Sequence, residues 1–296
     1  MFPAGPTAKS TLTEALKFGF HCSIAGGLVK ALERARALEC DTLQFFTRNP
    51  RGWRFTPLDS SLGVTFLERA EELNLSPLVV HMPYLPNLAS PDPDLYRKSV
   101  DSLMVEMERC KLLGVDYLVT HVGKAKAVGR EEAMERVARA LRMALELEGP
   151  VILLENTAGQ GSELGASLGE LGEIIALVDG DPRLGVCIDT AHAFQAGYPI
   201  HTSDGLEVFL EELDKEVGLG RLKLLHLNDS KTPLGSRVDR HWHIGEGHMG
   251  LEGFRSIISH PFLRGLPAIM ETPYSPSWDK KNMERVRELD QMSGYI

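Results

Sequence analysis

Six short apolar runs in this chain each end on a side chain that binds metals. They are LVVH at His81, YLVTH at His121, VILLE at Glu155, GVCID at Asp189, LKLLH at His226 and AIME at Glu271. Desolvated imidazole and carboxylate are costly inside a protein unless paired or metal-bound. Their recurrence at the C-terminal ends of buried runs predicts strands that point the same way and converge on one polar, metal-binding face. Three more groups belong with them. In IDTAH, His192 follows Asp189 by three residues, and a helical turn starting there would put both on one face. In SRVDRHWH, Asp239 and His241 lie two apart, on the same side of an extended segment. His243 shares that side and could replace one of them. His21 and His248 are open between site lining and plain polar surface, and His201 and His260 read as surface or helix-end residues.

The nine candidates are five histidines, two aspartates and two glutamates. A lone strand-end histidine is more often a hydrogen-bonded structural residue, and a lone acid a helix cap; independent coincidences do not explain nine on one face. A catalytic zinc takes about three protein ligands and leaves a position open. Nine ligands with one bridging carboxylate therefore supply three ions. Imidazole with carboxylate suits Zn²⁺, with Mn²⁺ or Fe²⁺ as substitutes, and argues against Mg²⁺ or Ca²⁺, which prefer oxygen alone. Clustered divalent ions are the usual machinery of phosphate-ester hydrolysis. The chain has no P-loop, so nucleotide-triphosphate hydrolysis lacks support.

Positioning such a set requires a repeating architecture. KFGF ending at His21 and TLQFF ending at Phe46 bring the strand candidates to eight, with 25 to 45 residues between successive ends. Between them lie amphipathic segments. Val100, Leu103, Met104 and Met107 follow i, i+3, i+4, i+7 spacing in Tyr96 to Leu113, and Glu131 to Leu147 repeats the pattern. Shorter helices are expected over Leu28 to Leu38, Phe66 to Leu75, Ser167 to Val178, Leu206 to Val217, Leu251 to Ile258 and Met283 to Leu289. Strand then helix, eight times, predicts an α/β fold closed as a single-domain (β/α)₈ TIM barrel over residues 18–296, with the active site at the C-terminal strand ends. Residues 1–17 read as an N-terminal extension.

Composition sets the remaining bounds. No apolar run approaches the roughly 20 residues of a membrane span, and the N-terminus lacks the apolar stretch of a signal peptide. A cytoplasmic monomer without membrane contact is expected. The four cysteines show no C-x-x-C spacing and read as free buried thiols. The net charge of −9 opposes nucleic-acid binding taken alone, but three divalent cations would bring it to −3, with the positive charge where a phosphate would sit. The loops then add a partner signal. FTRNPRGWRF interleaves Arg48, Arg51 and Arg54 with Trp53 and Phe55. HMPYLPNLAS offers Tyr84, Leu85 and Asn87, and NDSKTPLGSRVDR offers Lys231, Arg237 and Arg240. Basic groups suit phosphate contacts, and aromatic or apolar wedges suit prying open a base stack.

Together these segments resemble the endonuclease IV family of apurinic/apyrimidinic endonucleases. The matching stretches are GFHCSIAGGL, FTRNPRGWR, VVHMPYLPNLASP, LVTHVG, LLENTAGQG, GVCIDTAHAFQAGY, LHLNDSKTPLGSRVDRHWHIGEGHMG and METP, in order from about Phe18 to Pro273. HLNDSK followed by SRVDRH is close to diagnostic. The resemblance implies a barrel holding three ions, usually zinc. His81, His121 and Glu155 would hold the first. Glu155 would bridge to the second with Asp189, His226 and Glu271, and His192, Asp239 and His241 would hold the third. It implies cleavage 5′ of abasic sites in duplex DNA, leaving a 3′-hydroxyl and a 5′-deoxyribose phosphate, with trimming of blocked 3′ ends. Glu155 and Glu271 would serve the catalytic centre directly, and Arg51, Tyr84 and Leu85 would enter the DNA at the lesion. The rival enzyme is a metal-dependent sugar isomerase on the same barrel, which gains nothing from the SRVDRH pair or the Arg-Trp loop. A non-catalytic DNA-damage binder would tolerate broken ligands, and here the set is intact.

Overall fold

The computed structural model describes residues 16–293. Eight parallel strands close into a barrel: β1 (Lys17–His21), β2 (Thr42–Phe45), β3 (Leu78–His81), β4 (Tyr117–His121), β5 (Val151–Glu155), β6 (Leu184–Asp189), β7 (Leu222–His226) and, after a short hairpin of β8 (Asp229–Ser230) and β9 (His241–Trp242), β10 (Pro267–Met270). The sheet closes where Phe18 of β1 pairs with Ala268 of β10. The expected extension lies outside the described residues up to position 15. Its inner boundary moves, because Lys17 already opens β1.

Helices return the chain outside each strand. They are α1 (Leu28–Ala37), α2 (Ser60–Glu72), α3 (Pro93–Leu112), α4 (Arg130–Leu145), α5 (Leu168–Leu177), α6 (Thr190–Ala196), α7 (Ser203–Glu216), α8 (Gly250–Ser259) and α9 (Pro276–Ser293). Several start earlier than apolar spacing predicts, because caps rather than core contacts set their first turns. The Asp59 carboxylate accepts the Ser61 N–H ahead of α2. Asp92 accepts the Asp94 and Leu95 N–H groups ahead of α3, with Pro93 in the first turn, where no N–H is needed.

Two apolar layers hold the fold. Strand and helix faces share one large core, while Val79, Val119, Leu153, Cys187, Leu224 and Ile269 fill the barrel interior. Side chains alternate along a strand with period two. The next inward position above each interior residue is therefore His81, His121, Glu155, Asp189, His226 and Glu271 in turn. One register thus sets both the dry plug of the barrel and the polar ring on top of it. On β2 the same inward step runs from Thr42 to Gln44, and on β1 from Gly19 to His21. Gly19 has to be small, since a Cβ there would lie 2.1 Å from the Thr42 carbonyl oxygen. All four cysteines are free and buried.

Candidate metal centre

The ring closes into three interlocked ligand groups: His81 with His121 and Glu155; Glu155 with Asp189, His226 and Glu271; and Asp189 with His192 and His241. Glu155 joins the first two through separate oxygens. Its Oε2 lies 3.0 Å from His81 Nε2 and 3.4 Å from His121 Nε2, and its Oε1 lies 2.8 Å from His226 Nδ1. Asp189 stands between the second and third groups, with Oδ2 3.9 Å from His226 Nδ1 and 3.4 Å from His241 Nε2. Asp239 closes the third group from the open side, its Oδ1 3.3 Å from His192 Nε2 and 3.6 Å from His241 Nε2. Asp189 also caps α6, accepting the His192 N–H at 2.8 Å, and that cap turns His192 toward the ring. The hairpin β8–β9 brings His241 back over the barrel mouth by pairing it with Ser230.

The donor set tests whether cations belong here. His81 Nδ1 lies 2.7 Å from the Met82 carbonyl oxygen, His192 Nδ1 3.0 Å from that of Asn156, and His241 Nδ1 3.2 Å from that of Glu271. A carbonyl only accepts, so each ring carries its proton at Nδ1 and turns an Nε2 lone pair inward. Metal-ligating histidines are oriented in this way. His192 Nε2 and His241 Nε2 then face each other at 3.2 Å, lone pair to lone pair, an arrangement that needs a shared cation or a proton between them. The residues fit a metal.

The electrostatics agree. Burial drives the Glu155 carboxyl toward its neutral form, yet the imidazoles of His121 and His226 overcome it and hold the group well below the usual carboxylate range. Glu271 is likewise held low against burial, by His226 and its hydrogen bond to His21. Burial opposes charge on His192 and His226, but the surrounding anions win and raise both well above the ordinary imidazole value. For His226 the effective anions are Glu271 and Glu155, because burial pushes the neighbouring Cys187 thiol up to about 12 and leaves it neutral. Asp239, despite burial, is drawn down to about 2 by His192 and His241. A field that retains protons on these nitrogens will also retain metal cations.

The mouth of the ring opens into a cavity of about 1090 Å³ that reaches Phe46, Tyr84 and Tyr274. Comparison with known proteins identifies the lineage. Residues 32–291 match a family model described as a xylose isomerase-like TIM barrel. "Probable endonuclease 4" of Methanoculleus marisnigri is 46% identical over 275 residues, covering 92% of this chain and 98% of that one. The chain belongs to the endonuclease IV family. The crystal structure of endonuclease IV from Thermus thermophilus is 39% identical, with a TM-score of 0.84 over 93% of this chain and 99% of that one. A D-tagatose 3-epimerase-like protein, 20% identical with a TM-score of 0.71 over 95% of this chain and 99% of that one, shares the fold alone.

Within the endonuclease IV framework, the rim residues divide. Tyr84 is 62% exposed, meets Phe46 edge-on at 5.2 Å and donates its backbone N–H to the Pro50 carbonyl, tying its loop to the one that carries exposed Arg51. Leu85 is 36% exposed beside it. Lys231, Arg237 and Arg240 are exposed on the segment joining β8 to β9, with the Lys231 ammonium 4.1 Å from the centre of the Trp242 ring. Asn87 departs from the expected DNA contact. It is buried, its amide donates to the Lys124 carbonyl, and its oxygen accepts the Ala89 and Lys124 N–H groups, so the side chain staples the loops after β3 and β4. Arg48 departs too. It is buried on Glu106 rather than displayed on the rim. His243 is turned away from the ring, stacked on Trp278 at 4.4 Å. His248 is exposed, and His260 pairs with Glu207.

Four polar residues beside the ring escape sequence reasoning. Asn156 and Asn228 brace Asp189, through its backbone and its Oδ2 respectively. Asp229 gathers the Ser230, Gly247 and Met249 N–H groups and so folds the GEGHMG turn. Gln44 touches His226, Glu271 and His21. Each follows or interrupts an apolar run, a weak signal in itself. Tyr274, 87% exposed after β10, is a further aromatic at the cavity.

Proposed function

We propose that this protein is a DNA-repair endonuclease. It hydrolyses the phosphodiester 5′ of abasic sites in duplex DNA, leaves a 3′-hydroxyl and a 5′-deoxyribose phosphate, trims blocked 3′ ends, and acts in the cytoplasm as a monomer. The observation that carries this reading is the interlocking of three ligand groups through Glu155 and Asp189, in a chain 46% identical to a protein named endonuclease 4. His81, His121 and Glu155 would hold one zinc ion; Glu155, Asp189, His226 and Glu271 a second; and His192, His241 and Asp239, with Asp189 alongside, a third. Mn²⁺ or Fe²⁺ would serve in place of zinc. Bound divalent ions supply Lewis acidity, lowering the pKa of water and offsetting charge on the phosphate.

The chain's own residues account for the rest. Glu155 and Glu271, kept ionised in a buried site, set the negative charge that fixes the ions. Tyr84 is an exposed wedge lining the cavity, with exposed Leu85 next to it in the chain, and Arg51 on the adjoining loop suits a backbone phosphate. A volume of about 1090 Å³ accommodates an extruded sugar-phosphate. Flipping costs a few kcal/mol and is easiest where the base is already missing, which gives selectivity for the lesion. Sugar isomerisation is supported only by a shared fold, and no observation favours it over phosphodiester hydrolysis.

The test is a duplex carrying one abasic-site analogue. Incision 5′ of the lesion without added Mg²⁺, abolished by a chelator and restored by zinc or manganese, is expected. A bound but uncut duplex with metal-loaded protein would instead mark a damage binder, and interconversion of a ketose without DNA incision would mark the isomerase.

A further inference from the structure

Gln44 is a buried amide on β2, at the same inward level as the ligand ring. Its Oε1 lies 2.8 Å from His226 Nε2, and its Nε2 lies 2.6 Å from Glu271 Oε1 and 2.9 Å from His21 Nδ1. Only one orientation of the amide works. Reversed, it would set its oxygen against the Glu271 carboxylate at 2.6 Å. The amino group must therefore face Glu271, and the carbonyl must face His226. A carbonyl only accepts, so His226 carries a proton on Nε2. His226 thus differs from His81, His192 and His241, which carry their proton at Nδ1 and donate it to backbone carbonyls. Its inward atom is Nδ1, 2.8 Å from Glu155 Oε1 and 3.4 Å from Glu271 Oε2.

From this geometry we infer that Gln44 is a positioning residue for the second metal: its amide selects the Nδ1-ligating form of His226 and simultaneously orients Glu271. The inference rests on the metal reading of the ring. No other residue type on β2 reproduces it. Glutamate would add a carboxylate against Glu271, asparagine is one methylene too short, and an apolar side chain would leave the His226 Nε2–H and the Glu271 oxygen without partners. An outer partner of a metal ligand is worth about 10–100-fold in metal affinity.

The experiment compares the full chain with Gln44→Met, which keeps the volume, and Gln44→Glu, which keeps an acceptor for His226 but loses both donors. Zinc content is counted after equilibration against graded chelator, and the imidazole N–H protons are followed by NMR on zinc-loaded, ¹⁵N-histidine-labelled protein. The native chain is expected to show a protected His226 Nε2–H. Gln44→Met is expected to lose that signal and to release one ion per chain at about 10–100-fold lower chelator concentration, the other ions being retained. Gln44→Glu is expected to keep the signal yet release the same ion early. Retention of every ion by both variants at native chelator resistance would overturn the inference while leaving the metal reading intact, as would a native His226 protonated at Nδ1. A native chain that takes up no zinc would instead defeat the metal reading, and the role of Gln44 with it.

Discussion

Glu155 offers one carboxylate oxygen to each of two ligand groups, and it is fully buried between them. Glu155→Ala should therefore empty two positions together. Metal content should fall by more than one ion, and abasic-site incision by more than about 100-fold, the upper figure for losing even an indirect metal partner. Unchanged turnover would refute the shared-ligand role. The rim behaves differently. Tyr84→Ala should leave metal content intact and weaken binding of abasic duplex by ~1–3 kcal/mol, the usual worth of one aromatic stacked on nucleic acid. Arg51→Ala should lower the salt dependence of binding by about one unit of slope, as expected for one lost phosphate contact. Filter-binding titrations at several salt concentrations read both. The ligands are legible in the sequence because each strand-end member terminates an apolar run. Gln44, Asn156 and Asn228 are not, because their importance comes from partners far away in sequence that only the closed barrel brings together. Asn87 misleads for the same reason, its loop-stapling partner Lys124 lying 37 residues on.

Among the elements, the loop after β2 shows how a segment without regular secondary structure is held beside the site. Glu106 of α3, fully buried, accepts from Arg48 and from the Thr47 hydroxyl, while Arg109 donates to Thr47 and to the Thr56 carbonyl. The network pins both ends of the stretch that carries Arg51. Breaking a buried pair by removing one partner costs roughly 3–5 kcal/mol, because the other charge is left uncompensated. Glu106→Ala should lower the melting temperature by on the order of 10 °C and raise hydrogen exchange in residues 47–56, without changing the metal count. A loop that stays protected would show that the anchoring lies elsewhere. Helix positions are readable from their apolar spacing, but their starts are not. The polar first turns of α2 and α3 are held by capping at Asp59 and Asp92, which contributes no hydrophobic periodicity. The helical turn expected at Asp189 is α6.

At the scale of the whole molecule, the fold is legible as eight repeats, since a barrel imposes the same strand, helix and strand-end logic on each unit. The ring also sets how the molecule responds to pH. With metal stripped, His192 and His226 have folded values raised well above 6.5, so their stabilisation is complete below pH 6.5 and fades as pH rises through those folded values. Glu155 and Glu271 have folded values well below 4.5, so their contribution is complete above pH 4.5 and is lost as pH falls through them. His21, lowered by burial, acts against the raised histidines. The stripped protein should be most stable between about pH 4.5 and 6.5, whereas the zinc-loaded protein should gain stability above that window, as metal replaces protons. Thermal unfolding across pH with and without chelator reads the difference, and identical profiles would contradict it. The proposed chemistry is cleavage of DNA at a missing base by three ions held on nine imidazole and carboxylate groups. Its most direct test is elemental analysis of freshly isolated protein, paired point by point with 5′ incision of an abasic duplex during chelator titration. About three transition-metal ions per chain are expected, with incision lost as they leave and regained as zinc returns. Full incision by protein shown to be free of metal would contradict it.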